Sequence, residues 1–90
     1  MKFDNAIDPQ RLLRARDAEV FTSGEDGVKL PEWHYRVETG KTYYVKTAPY
    51  LSCDCPDAIM RDTICKHIIA ALMHERDPHI VKLMKQFGIE

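Results

Sequence analysis

Three cysteines and a histidine fall within fifteen residues, as Cys53-Asp54-Cys55, a gap of nine residues, then Cys65-Lys66-His67. The chain has no other cysteine. Three thiolates and one imidazole form a complete tetrahedral donor set, and Cys₃His is a standard set for structural zinc. Mixed sulfur and nitrogen donors suit zinc better than iron or copper here, and no second cluster motif is present. With all four positions filled by protein, no place remains for a catalytic water, so an ion held by Cys53, Cys55, Cys65 and His67 is structural.

Two other readings compete with this one. Cysteine is among the most often buried residues, so the three could be inert core. Against that, Asp54, Asp57, Arg61, Asp62 and Lys66 crowd the same stretch, which is poor material for an apolar interior. The other is a thiol redox switch, since a C-x-C pair can oxidise; it predicts Cys53–Cys65 or Cys55–Cys65 bonds after mild oxidation.

The spacing constrains the elements that present these groups. Residues two apart in a strand point the same way, so Cys53 and Cys55 can face one ion from an extended segment. Two apart in a helix they diverge, so Cys65 belongs in the turn before a helix and His67 in its first turn. The helix N-terminus there favours the excess negative charge of three thiolates, and Lys66 offsets it further.

Around this loop the periodicities predict the remaining elements. Asp8-Pro9 is a cap-plus-proline start for a helix from Pro9 to about Glu19, with Ile7 stapled on Leu12. Thr22 to Gly27 is a turn cluster, and a short strand around Val28 to Leu30 follows. Trp33, Tyr35 and Val37 alternate with His34 and Arg36, which predicts a strand with those three facing the core. Thr39-Gly40 reads as a hairpin turn, and Thr42 to Thr47 as the returning strand, ended by Ala48-Pro49. Pro56 opens a short helical turn through Arg61. Ile64 to Glu75 carries a helical apolar stripe, and Asp77-Pro78 starts a last helix that runs to Phe87 and is closed by Gly88. The expected class is α+β: an antiparallel hairpin, with room for a third strand, then a zinc loop and helices, preceded by an N-terminal helix within residues 8–20 and followed by one at 78–87.

Ninety residues make one domain, 1–90, and a chain this short buries only about 60% of its unfolded surface, so a metal staple matters. The formal net charge is -1, which excludes coating nucleic acid by bulk charge and leaves only a local patch. An odd cysteine count argues against a closed disulfide framework and suits a reducing compartment. No signal-like or membrane-length apolar run is present, so the expectation is an intracellular, soluble chain.

At the metal constellation the chain resembles a SWIM-type zinc finger, the family with the pattern C-x-C-x(n)-C-x-H. Cys53-Asp54-Cys55-Pro56-Asp57 is similar to its C-x-C-P-D start, and Cys65-Lys66-His67-Ile68-Ile69-Ala70 to its C-K-H helix. Ala58 departs from the aromatic residue common after C-P-D. The paired strands at Trp33–Val37 and Tyr43–Val45 fit as well, so the resemblance covers roughly residues 33–73. It implies one zinc ion, a hairpin feeding the site, and a helix pinned by it. Members occur in transposases, chromatin enzymes, ubiquitin ligases and recombination accessory proteins, and the resemblance implies DNA or protein binding.

Further candidates are weaker. Arg36, Lys41 and Lys46 on the hairpin and Arg61 and Lys66 near the metal loop offer phosphate contacts if they converge, with Tyr43, Tyr44 or Tyr50 to stack on bases. A merely solvated surface is the simpler explanation, given the overall charge balance. His34, His74 and His79 are isolated. No phosphate loop, zinc-protease helix or Ser-His-Asp set appears, so no enzyme and no small-molecule substrate is expected. The expectation is therefore a non-enzymatic zinc module that binds DNA or a protein. The alternative is an accessory subunit whose C-terminal helix docks on a larger enzyme or on a second copy.

Overall fold

The computed structural model describes residues 9–61 and 64–89, apart from the side chains of Asp57 and Arg61. The Asp8 cap and Ile7 staple lie outside the described residues. The element order is α1 (Pro9–Arg16), β1 (Glu19–Phe21), β2 (His34–Glu38), β3 (Thr42–Lys46), β4 (Ser52–Cys53), α2 (Pro56–Arg61), α3 (Lys66–Glu75) and α4 (Pro78–Gln86).

The four strands form one antiparallel sheet in chain order, so each pairs with its sequence neighbour. The hairpin at its centre is the expected one, with Tyr35 opposite Val45 and Val37 opposite Tyr43. Its turn places Gly40 at φ 99, a left-handed conformation that glycine alone adopts without a Cβ penalty. Tyr35, Val37, Val45 and Cys53 point to the core face and are buried. His34, Arg36, Glu38, Thr42, Tyr44 and Lys46 alternate onto the other face.

Several boundaries differ from the sequence reading. The first helix ends at Arg16 rather than Glu19, because Asp17 and Ala18 turn back on the carbonyls of Arg14 and Ala15 (3.3 and 3.1 Å). Glu19, Val20 and Phe21 instead pair with Glu38, Val37 and Arg36 as an added edge strand. The strand expected at Val28–Leu30 is reduced to one bridge between Ser23 and Lys29. Trp33 does not join the core: it sits before the strand at φ 68 and is 46% exposed. A fourth strand, Ser52–Cys53, runs into the metal loop.

The third helix lies across all four strands and also meets α1 and α4. Its residues His67 to Leu72 are all buried, so it is apolar nearly all round, as a central helix must be. Leu12, Ile64, Ile68, Ile69 and Ile80 are fully buried around it. The helix begins at Lys66, two residues later than the apolar stripe begins. Its C-cap is Arg76 in the left-handed region, and Asp77 follows at once as the cap of α4, accepting from the N–H groups of His79 and Ile80 (3.0 and 3.2 Å). Gly88, at φ 70, and the buried Ile89 close the end of α4.

Candidate metal centre

Each donor of the Cys₃His set is delivered by a different local device. Cys53 ends β4 on the core face, opposite Val45. Cys55 does not continue the strand as the sequence spacing suggested. The chain bends through Asp54 and Cys55, and Pro56 starts α2, with the Cys55 carbonyl accepting from Ile59 (3.1 Å). Cys65 is the N-cap residue of α3 in extended conformation, and His67 lies in the first turn, as expected. Two thiols and the imidazole therefore sit at helix starts, where unsatisfied backbone N–H groups favour negative charge.

Neighbouring elements fix this geometry. The Asp54 carboxylate accepts from the Tyr44 N–H (3.0 Å), which ties the bend to β3. The Arg11 guanidinium donates to the Ile64 carbonyl (2.9 Å), so α1 anchors the approach to Cys65. The Tyr43 ring lies 4.2 Å from the His67 ring at a 34° tilt.

One sulfur from each cysteine and one nitrogen of His67 all lie within 4.8 Å of one another, and all four residues are buried. Tetrahedral bonds to zinc imply donor separations of about 3.5–3.8 Å, so the set closes on one ion by drawing in by about 1 Å at most. His67 supplies the independent sign. Its Nε2 pairs with the Thr39 hydroxyl (3.1 Å), while its Nδ1 is buried without a hydrogen-bond partner among the described residues. A metal ion would satisfy that nitrogen. The hydroxyl would then receive the Nε2 proton and hold the ring, as partners of metal-bound histidines do.

Electrostatics agree. The Cys65 thiol is driven down, foremost by its pairing with the Cys53 thiol. Cys53 is pushed up, first by that same pairing and then by burial. Burial leads the rise at Cys55. Three thiolates this close cannot all ionise alone, and a divalent cation removes the obstacle.

A family model, SWIM zinc finger, matches residues 51–75, which contain all four donors. This segment is similar to a SWIM zinc finger. The match begins after the hairpin, so β2 and β3 stand outside it. No curated protein and no solved structure gives a significant match to the chain. The Cys₃His cluster of the finger could hold one zinc ion. Ala58, where the family pattern favours an aromatic residue, is buried against the same core.

The four cationic candidates whose side chains are described, Arg36, Lys41, Lys46 and Lys66, do not all converge. Arg36 is held down, over the Phe21 ring at 4.3 Å and paired with Glu38 at 3.1 Å, with only 14% of its side chain exposed. Lys46 lies on the same outer sheet face, whereas the Arg61 side chain is outside the described residues. Lys41 and Lys66 do come together. With Tyr43 they line an open cleft of about 610 Å³ beside Cys55 and His67. Sequence spacing had no way to single out that pair, because the hairpin turn and the start of α3 meet only through the fold. No helix among the described residues is long and apolar enough to cross a membrane.

Proposed function

We propose that the chain is a non-enzymatic, zinc-stabilised binding module that takes DNA in the cleft beside its metal centre. The observation that carries this reading is the meeting of Lys41 and Lys66 with the Tyr43 ring in one open hollow. Two ammonium groups supply phosphate contacts, and an aromatic ring suits an unstacked base. The match to a SWIM zinc finger supports a binding role. Arg36, being paired, contributes little.

The test is fluorescence anisotropy with single- and double-stranded DNA at two salt concentrations, using zinc-loaded protein. Lys41→Gln with Lys66→Gln should weaken binding and reduce the salt slope by about one unit per lost phosphate contact. Unchanged affinity and slope, with zinc still bound, would sink the reading.

A second reading, an accessory subunit that docks through its C-terminal helix, is supported by Phe87, which stays 42% exposed at the end of α4. Apolar docking of that kind holds as salt rises, whereas phosphate binding weakens steeply.

A further inference from the structure

Away from the metal centre, two hollows of about 300 and 320 Å³ adjoin each other, because Met73 and Met84 line both. Val81 and Ile89 complete the first, between the end of α3 and the face of α4. Ala15, Ala18, Val20 and Ala70 floor the second, where α1, β1 and α3 meet. The result is an apolar trough with two half-buried methionines at its centre. Methionine is unbranched and polarizable, and it adapts to irregular apolar partners.

The rim has one sign. Arg76 and Lys85 border the first hollow and Arg16 the second, and no carboxylate is among the lining residues of either. Arg16 has Asp17 at 3.9 Å, but both side chains are well exposed, and such a pair is weak. A chain of net charge -1 thus gathers cations around this apolar trough. Nucleic acid does not fit a trough with an apolar floor. Lipid-like ligands would leave the separated cations without partners.

We propose that this trough is a docking groove for a short, acidic, amphipathic helix of a partner protein. Its apolar residues would fill the two hollows across Met73 and Met84, and its carboxylates would meet Arg76, Lys85 and Arg16. This is the helix-in-groove mode of recognition, with the charged rim setting specificity and approach. It shares with the second reading a partner docked on α4, but through the face of Val81, Met84 and Lys85 and not through Phe87, and it is independent of the DNA cleft.

The probe is a labelled synthetic helix with Leu at i and i+4 spacing on one face and Glu on both flanks, titrated into zinc-loaded full-length chain by fluorescence polarisation. The acidic peptide should bind at least roughly tenfold more tightly than its Lys-flanked counterpart. Arg76→Gln with Lys85→Gln, at two exposed side chains, should erase most of that preference while DNA binding stays unchanged. Phe87→Ser, outside both hollows, should leave peptide affinity as it was. Equal binding of the two peptides, or binding of neither, overturns the proposal. So does peptide loss in the Phe87 variant, which would move docking to the exposed end of α4, and so does a concentration-dependent dimer that blocks the peptide, which would assign the trough to a second copy.

Discussion

The Cys65 sulfur occupies a double position, as donor and as the residue that opens α3. Cys65→Ala should therefore remove zinc and lower the melting temperature together, read by elemental analysis and circular dichroism. A variant that melts like the parent, with or without chelator, would argue against a structural ion. The Thr39 hydroxyl offers a finer test, since it touches the imidazole and not the ion. Thr39→Val keeps the shape of the side chain and deletes the partner of His67 Nε2. Loss of such a partner costs metal affinity roughly 10–100-fold, measurable by competition against a chromogenic chelator while helicity is retained. Equal affinity in the two proteins would mean that Thr39 only neighbours the ring.

Elements are joined at the end of α3 opposite the metal centre by one carboxylate. Glu75, at the end of α3, accepts from the Tyr35 hydroxyl of β2 (2.7 Å) and the Thr47 hydroxyl just past β3 (2.6 Å). Burial, then the Glu75 hydrogen bond and charge, hold the Tyr35 phenol up at about 12, against 10.0 for a free tyrosine. A raised folded value favours the protonated phenol in the native state. The stabilisation is thus fully present below pH 10 and is lost as pH rises from there through about 12. Tyr35→Phe should cost about 1.5–3 kcal/mol at pH 8, as hydrogen bonds to charged groups do, and the gap from the parent should shrink by pH 11 in urea titrations. A gap constant with pH would contradict the assignment. Legibility at this scale followed locality. The hairpin, α3 and α4 announced themselves through period and capping residues within each segment. The edge strand Glu19–Phe21 did not, because three residues gain strand geometry only from β2 beside them. Trp33 was misplaced for a related reason: alternation predicts a face, but the turn that bonds His34 N–H to the Pro31 carbonyl sets where the strand begins. The four donors were legible because their types and spacing are local; the Lys41–Lys66 pair was not, since a 25-residue separation closes only in three dimensions.

For the whole molecule, an ion in this cluster would tie together three consecutive elements: the end of the sheet, the start of α2 and the front of the central helix. A fold of this size has about 5–15 kcal/mol of net stability at most, and structural zinc supplies a comparable amount in small finger domains. Stripping the metal with a strong chelator at neutral pH should then release the tertiary fold cooperatively rather than loosen one loop, seen as simultaneous loss of near- and far-ultraviolet circular dichroism. Retention of both signals in the apo protein would show that the apolar core suffices. Acid should do the same as thiolates and imidazole take up protons and let the metal go. The short helix α2 has a practical corollary. It lies between the two donor pairs and leaves Ile59 and Met60 at 67% and 82% exposure. Both ends of that excursion are clamped to the same cluster, and doubling the length of such a loop costs only about 0.6 kcal/mol in closure entropy. An epitope or reporter peptide spliced in after Met60 should therefore be displayed at the surface of a protein that still loads its metal.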